Sequence, residues 1–158
     1  MNNVNAITIV KQTLKDHLTD PLVTAGGDRN NIDWIFENEP KSAYKYPKIE
    51  IIKNTQPKPT ILDIGPDYTT RNYLILAITF FTKNGFKITV SGTDYVNAQL
   101  VEYYLDTMIE PTLKAQFTDM FDQGVKNYKS LGTSTIGYNP ETQVYFGNLN
   151  IMVEFFRN

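Results

Sequence analysis

The stretch NYLILAITFFTKNGFKITV, residues 72–90, decides how the chain is read. In its first half, residues 73–82, Leu74, Leu76, Ile78 and Phe80 fall on one side of an extended chain. Tyr73, Ile75, Ala77 and Phe81 fall on the other, and Thr79 is the only polar residue in the interior of the run. A strand with one wet face alternates apolar and polar residues, so this one asks for cover on both sides. Asn84-Gly85 follows, and both residues tolerate the positive φ of a tight hairpin. The reading therefore predicts an antiparallel hairpin of residues 73–82 with 86–91.

Downstream, Thr93 or Asp94 is placed to cap a helix running to about Glu110. Pro111 kinks it or starts a second segment through Phe121, and Gly124 ends it. On a wheel at about 100° per residue, Gln99, Glu102, Asp106 and Glu110 share roughly one quarter of the circumference. Val96, Leu100, Val101, Tyr103, Tyr104, Leu105, Met108 and Ile109 fill most of the rest. That apolar arc is about twice what a surface helix needs. The remainder reads as β: STIGY, a turn at Asn139-Pro140-Glu141, QVYF, a turn at Gly147-Asn148, and LNIMVEFF. In the last strand Leu149, Ile151, Val153 and Phe155 share one face, and Asn150, Met152, Glu154 and Phe156 the other.

Upstream, Ala6, Ile9, Val10, Leu14 and Leu18 recur at helical spacing over about residues 5–19, and Asp20-Pro21 stops the helix. IDWIFENEP, residues 32–40, reads as a short strand or an arm packed on the body. PKIEIIK is a strand with Ile49 and Ile51 on one face, and NTQPKPT is a loop because its prolines remove ladder donors. The expected architecture is α+β: one domain spanning residues 1–158, a mainly antiparallel sheet with an N-terminal helix and a long helix packed on it.

Composition limits the function. At 158 residues, 41% hydrophobic and 20% charged, the chain is long enough for a core of its own. A net charge of −2 argues against a protein built mainly to grip nucleic acid. With no cysteine there is no thiol chemistry, and no apolar run is long enough to span a bilayer, so a soluble protein without a membrane partner is expected. His17, the only histidine, stands at a helix end, where its charge suits the dipole better than a ligand role. Glu102, Asp106 and Glu110 form a stripe better read as a solvated face than as a metal site. KSAYKYPK, residues 41–48, interleaves lysine and aromatic residues as a nucleic-acid surface does, although a loop with three lysines is more often just a solvated loop. No catalytic constellation, metal site or cofactor is expected, and the chain does not read as an enzyme.

Two elements thus carry more apolar surface than one contact buries. One account is internal: the N-terminal helix on one sheet face, the long helix on the other, and the Trp34 arm filling gaps. The other is that a neighbouring copy covers the excess. The candidate interface residues are then Tyr73, Ile75, Phe81, Val101, Leu105 and Met108.

The order of YPKIEIIK, RNYLILAITFFTKNGFKITV, TDYVNAQLVEYYLDTMI and GNLNIMVEFF after a first helix resembles the tail terminator (tail completion) proteins of long-tailed bacteriophages and related archaeal viruses, and the neck proteins that share their fold. The resemblance implies a homo-oligomeric ring, usually a hexamer, in the virion. Its partners would be further copies of itself, the tail tube protein and the head connector or neck protein, with DNA only passing through the lumen. A closed ring has two different axial faces, so tube growth would stop where the second face offers no tube-like surface. Loops 54–60 and 65–71 are the candidates for axial contacts, since prolines limit the entropy lost on docking. The arm at 32–40 and the segment at 111–132 are longer than the smallest members require.

Overall fold

A computed structural model describes residues 3–37, 45–54, 60–61 and 70–157. Helix α1 (Asn3–His17) buries Ala6, Val10 and Leu14, one residue per turn, and Leu18 continues the stripe just past its end. Asp20 caps the short α2 (Pro21–Thr24), its carboxylate accepting from the Leu22 N–H at 2.9 Å. Strand β1 (Ile35–Glu37) runs parallel to β2 (Lys48–Lys53), and β2 is antiparallel to β4 (Thr70–Lys83). The two-residue β3 (Thr60–Ile61) pairs with the start of β4. Along its other edge β4 pairs residue for residue with β9 (Val144–Arg157). The outer edge of β9 carries β7 (Val125–Thr133) and β8 (Gly137–Asn139). The path across the sheet is β1-β2-β4-β9-β7, antiparallel everywhere but at β1.

The α+β reading holds, and so do its two strongest strand patterns. Leu74, Leu76, Ile78 and Phe80 of β4 lie beside Val153, Ile151, Leu149 and Gly147 of β9, and all seven apolar side chains are fully buried. Ile35, Ile49 and Ile51 extend this face across β2 and β1. Above it lie α1 and a long helical run: α3 (Ala98–Tyr103), a π-helical turn (Tyr104–Ile109), α4 (Glu110–Ala115) and α5 (Phe117–Gln123). Gly124 closes that run in the left-handed region at φ 118°, as a C-terminal glycine should.

Several expectations are corrected. Asn84-Gly85 does turn the chain, with Gly85 at φ 84°, but residues 86–91 do not return along β4. Both edges of β4 are already taken, by β2 and β9. Instead β5 (Lys87–Val90) pairs with β6 (Thr93–Val96) through a Ser91-Gly92 turn, both residues at positive φ. Thr93 and Asp94 therefore belong to a strand and cap nothing, and α3 begins at Ala98. Asn97 precedes it without capping it; its Oδ1 accepts from the Gly85 N–H at 2.8 Å, tying the hairpin to the helix start. Gly147-Asn148 is no turn: β9 runs straight through. A Cβ on Gly147 would lie 3.0 Å from Leu105 Cδ1 and from Val101 Cγ1, so glycine there lets the helix approach the strand. The last part of the 111–132 segment, from Val125, belongs to the edge strand β7, which runs on to Thr133.

The helix's excessive apolar arc also dissolves. On an ideal wheel Ile109 and Leu113 fall about 180° and about 220° from Leu100. The π-helical turn bonds residue i to i+5, bringing residues five apart, such as Leu100 with Leu105 and Tyr104 with Ile109, towards one side. All of these side chains are buried, as are Val101 and Leu113. The remaining apolar side meets the β5–β6 hairpin, where Tyr103 stacks on Tyr95 with ring centroids 4.1 Å apart. Met108 is half-buried and, with Ile88 and Val90, lines a cavity of about 370 Å³ beneath the hairpin.

Candidate functional site

Among the described residues helices cover one face of the sheet. The core that gathers α1 and the long helical run takes in only strand residues from the Leu74 side, and no helix among the described residues joins it from the opposite face. The internal account with one helix on each face is therefore wrong. The opposite face is laid out in cross-strand rows: Lys48–Phe81–Phe146, Glu50–Thr79–Asn148, Ile52–Ala77–Asn150, then Ile75–Met152 and Tyr73–Glu154. Rows repeat about every 6.6 Å along a strand, and neighbouring strands stand about 4.8 Å apart.

The middle of this open face is polar and self-satisfied. Thr79 Oγ1 donates to Asn148 Oδ1 at 2.8 Å, and Asn54 Nδ2 donates to Asn150 Oδ1 at 3.0 Å. One end is mostly apolar, with Ile52, Tyr73, Ile75 and Met152 half-buried and Phe156 exposed around the buried Glu154. The other end is basic and aromatic. The Lys48 ammonium lies 4.8 Å from the Tyr46 ring centroid, 5.4 Å from Phe36 and 5.5 Å from Phe81. Lys83 approaches the same Tyr46 ring at 5.2 Å, and Phe81 meets Phe146 at 6.3 Å. Burial pulls the Lys48 ammonium below the usual lysine range, with Glu50 opposing the shift.

A buried guanidinium fixes this end. Arg29 donates Nε and Nη2 to the two carboxylate oxygens of Asp20 at 2.8 and 2.7 Å. It also donates to the carbonyls of Lys45 and Pro47, both at 2.6 Å, and stacks on Trp34 at 5.5 Å. Two carbonyls flanking Tyr46 are thereby clamped, and the planar fork that makes this possible is particular to arginine. Arg29 was not singled out from the sequence. Its partners are up to 18 residues away, and nothing local marks it as buried.

Of the candidate interface residues, Tyr73, Ile75 and Phe81 share the open face, half-buried, but only Tyr73 and Ile75 are neighbours; Phe81 lies at the opposite end, about 20 Å from Ile75 along β4. Val101 and Leu105 do not join them: both are enclosed under the sheet's helix layer and present nothing to a neighbour. Met108 is on the helix layer as well, packed against the core beneath the hairpin. His17 is exposed in the last turn of α1. Glu102 and Asp106 are exposed as expected and, with Gln99 and Tyr103, line an open groove of about 320 Å³. Among the described residues no three carboxylate or histidine side chains converge as a metal site would require. Lys41 and most of loops 54–60 and 65–71 lie outside the described residues.

No helix among the described residues is long and apolar enough to cross a membrane. Neither protein-family models nor curated proteins of known function match this chain.

Proposed function

We propose that the chain is a structural assembly protein, forming a ring of identical copies in a virion that terminates a tail tube and joins it to the head connector. The observation that carries this reading is the apolar end of the open face. Half-buried Ile75, Tyr73 and Met152 and exposed Phe156 cluster around the buried Glu154 there, with no helix over them among the described residues. A patch of this kind, set on a rigid sheet, suits a permanent contact with another copy better than it suits catalysis. The element order that resembles tail terminators supports the same reading, with the central hairpin replaced by the separate β5–β6 pair. A neck adaptor of similar fold uses the same surface and differs only in which component it meets.

Mass measurement in solution, followed by imaging of the particles, tests the proposal. The expected result is a closed ring, six copies being the number the resemblance implies. A chain that stays monomeric at every concentration, and still does so when tail tube protein is added, overturns it.

A further inference from the structure

The Lys48 end of the open face has a character that subunit packing does not require. We propose that this end binds single-stranded nucleic acid, its lysines, held over the rings of Tyr46 and Phe81, meeting phosphates and the exposed ring of Phe146 stacking on a base. The inference goes beyond the ring assembly above and uses the opposite end of the same face, about 33 Å from Phe156 along β9.

Three features carry it. The first is local charge. Lys11, Lys15 and Lys87 each pair with a carboxylate, at 3.0, 3.1 and 3.6 Å. Lys45 and Lys83 instead donate to the main-chain carbonyls of Asp28 and Thr142, and Lys48 rests on ring faces. Among the described residues no carboxylate forms an ion pair with Lys45, Lys48 or Lys83, and Glu50, in the next row of the same face, is the one carboxylate whose charge acts on Lys48, so three ammonium groups face one acidic neighbour here in a chain whose net charge is −2. The second is the rings. Phe146 is 36% exposed at the rim, beside half-buried Phe81, on a pleated surface from which no element among the described residues projects to enter a duplex groove. Such a platform reaches the flat faces of bases only when they are unstacked, which selects single strands. The third is preorganisation. The Arg29 clamp holds the chain on both sides of Tyr46, and three rings hold Lys48, so little freedom is lost when a strand docks.

The test is fluorescence anisotropy of end-labelled oligo-dT and oligo-U, each about 20 nucleotides, with the full chain at 50 and 200 mM salt. Three phosphate contacts predict a log–log salt slope of about −2, or roughly 20-fold weaker binding at the higher salt. Lys83→Gln, at an exposed position, lowers that slope by about 0.7. Phe146→Ala weakens binding about 5- to 150-fold, the range for one lost base stack. Phe156→Ala, at the far end of the same face, leaves it unchanged. Equal binding of the two oligomers assigns the backbone and base faces alone, and a preference for oligo-U or oligo-dT assigns RNA or DNA. Absence of binding at 50 mM salt overturns the proposal, as does binding that neither Lys83→Gln nor Phe146→Ala diminishes. If Phe146→Ala instead changes the particle mass while oligonucleotide binding stays intact, this end contacts protein and the proposal fails, leaving the ring reading standing.

Discussion

Phe155 and Phe156 are neighbours in β9, yet Phe155 is 0% exposed under the helix layer and Phe156 is 41% exposed on the other side. Their surroundings in sequence are almost the same; what separates them is which way the pleat points each ring. The difference teaches that an apolar residue on this sheet has one of two roles. On the helix face it holds the monomer together, and on the open face it is buried only where neighbouring side chains close over it, as at Phe36 and Ala77, and otherwise stays part-exposed, as Phe156 does. Truncation separates the roles most sharply. Phe155→Ala should cost about 3–5 kcal/mol of unfolding free energy, because it opens a cavity in a close-packed core. Phe156→Ala should stay within about 0.5 kcal/mol. Denaturant melts of the two variants check this, and equal losses would mean that the open face is as tightly packed as the covered one.

The next effect probes how closely the helix layer meets the sheet. Gly147 has no room for a larger residue against Val101 and Leu105. Gly147→Val should therefore destabilise by about 1–3 kcal/mol through overpacking. The shift of the denaturation midpoint reads this directly, and an unchanged midpoint would show that the helix can move away without cost.

How much of this contrast could be read in advance depends on whether the deciding contact was local. The buried columns of β4 and β9 were legible, since alternation along a strand needs no partner to be seen. So was the helical stripe of α1, and so was Gly124. The pairing of residues 84–91 was misread because a good turn signal fixes a turn and not the strand that follows; occupation of both β4 edges is a non-local fact. The π-helical turn was hidden for a different reason: a wheel assumes uniform winding, and residues five apart then look like opposite faces. Tyr73 and Ile75 lie half-buried on the face away from the helices, whereas Val101 and Leu105 are enclosed, their apparent excess an artefact of that wheel. The cluster of Lys48, Phe81, Lys83 and Phe146 joins three strands, and only the register brings it together.

Smaller effects test polar groups on the covered face. Tyr104 stacks on Phe80 at 4.6 Å and donates to the Thr19 carbonyl at 2.7 Å, while the hydroxyls of Tyr128 and Thr82 are buried with no partner among the described residues. Tyr104→Phe should cost about 1 kcal/mol, and Tyr128→Phe or Thr82→Val should be neutral or stabilising by up to a similar amount. Burial, with Glu110 adding to it, pushes the Tyr128 phenol up to about 12, and burial raises Tyr104 as well. A phenol whose folded value lies above its unfolded value of about 10 favours the neutral form in the fold. Its contribution is therefore complete below about pH 10 and is lost as the pH rises towards 12. Stability measured across that window should fall less steeply for Tyr128→Phe than for the parent chain; an identical fall would mean the phenol reaches water.

The smallest effect on the monomer should be the largest on assembly. Phe156→Lys replaces an exposed ring by a long side chain that keeps its ammonium in water, so the fold should change by about 0.5 kcal/mol or less. If copies meet through the Ile75–Met152 end of the open face, the same substitution places a charge in a buried contact, which costs several kcal/mol unless the charge is paired. Every subunit of a ring carries the change, so each interface is weakened. Mass measurement against concentration should show the variant as a monomer where the parent forms rings, with superimposable thermal melts for the two dissociated chains. Rings that persist in the variant would remove this end of the sheet from the interface and leave Phe156 an ordinary exposed aromatic.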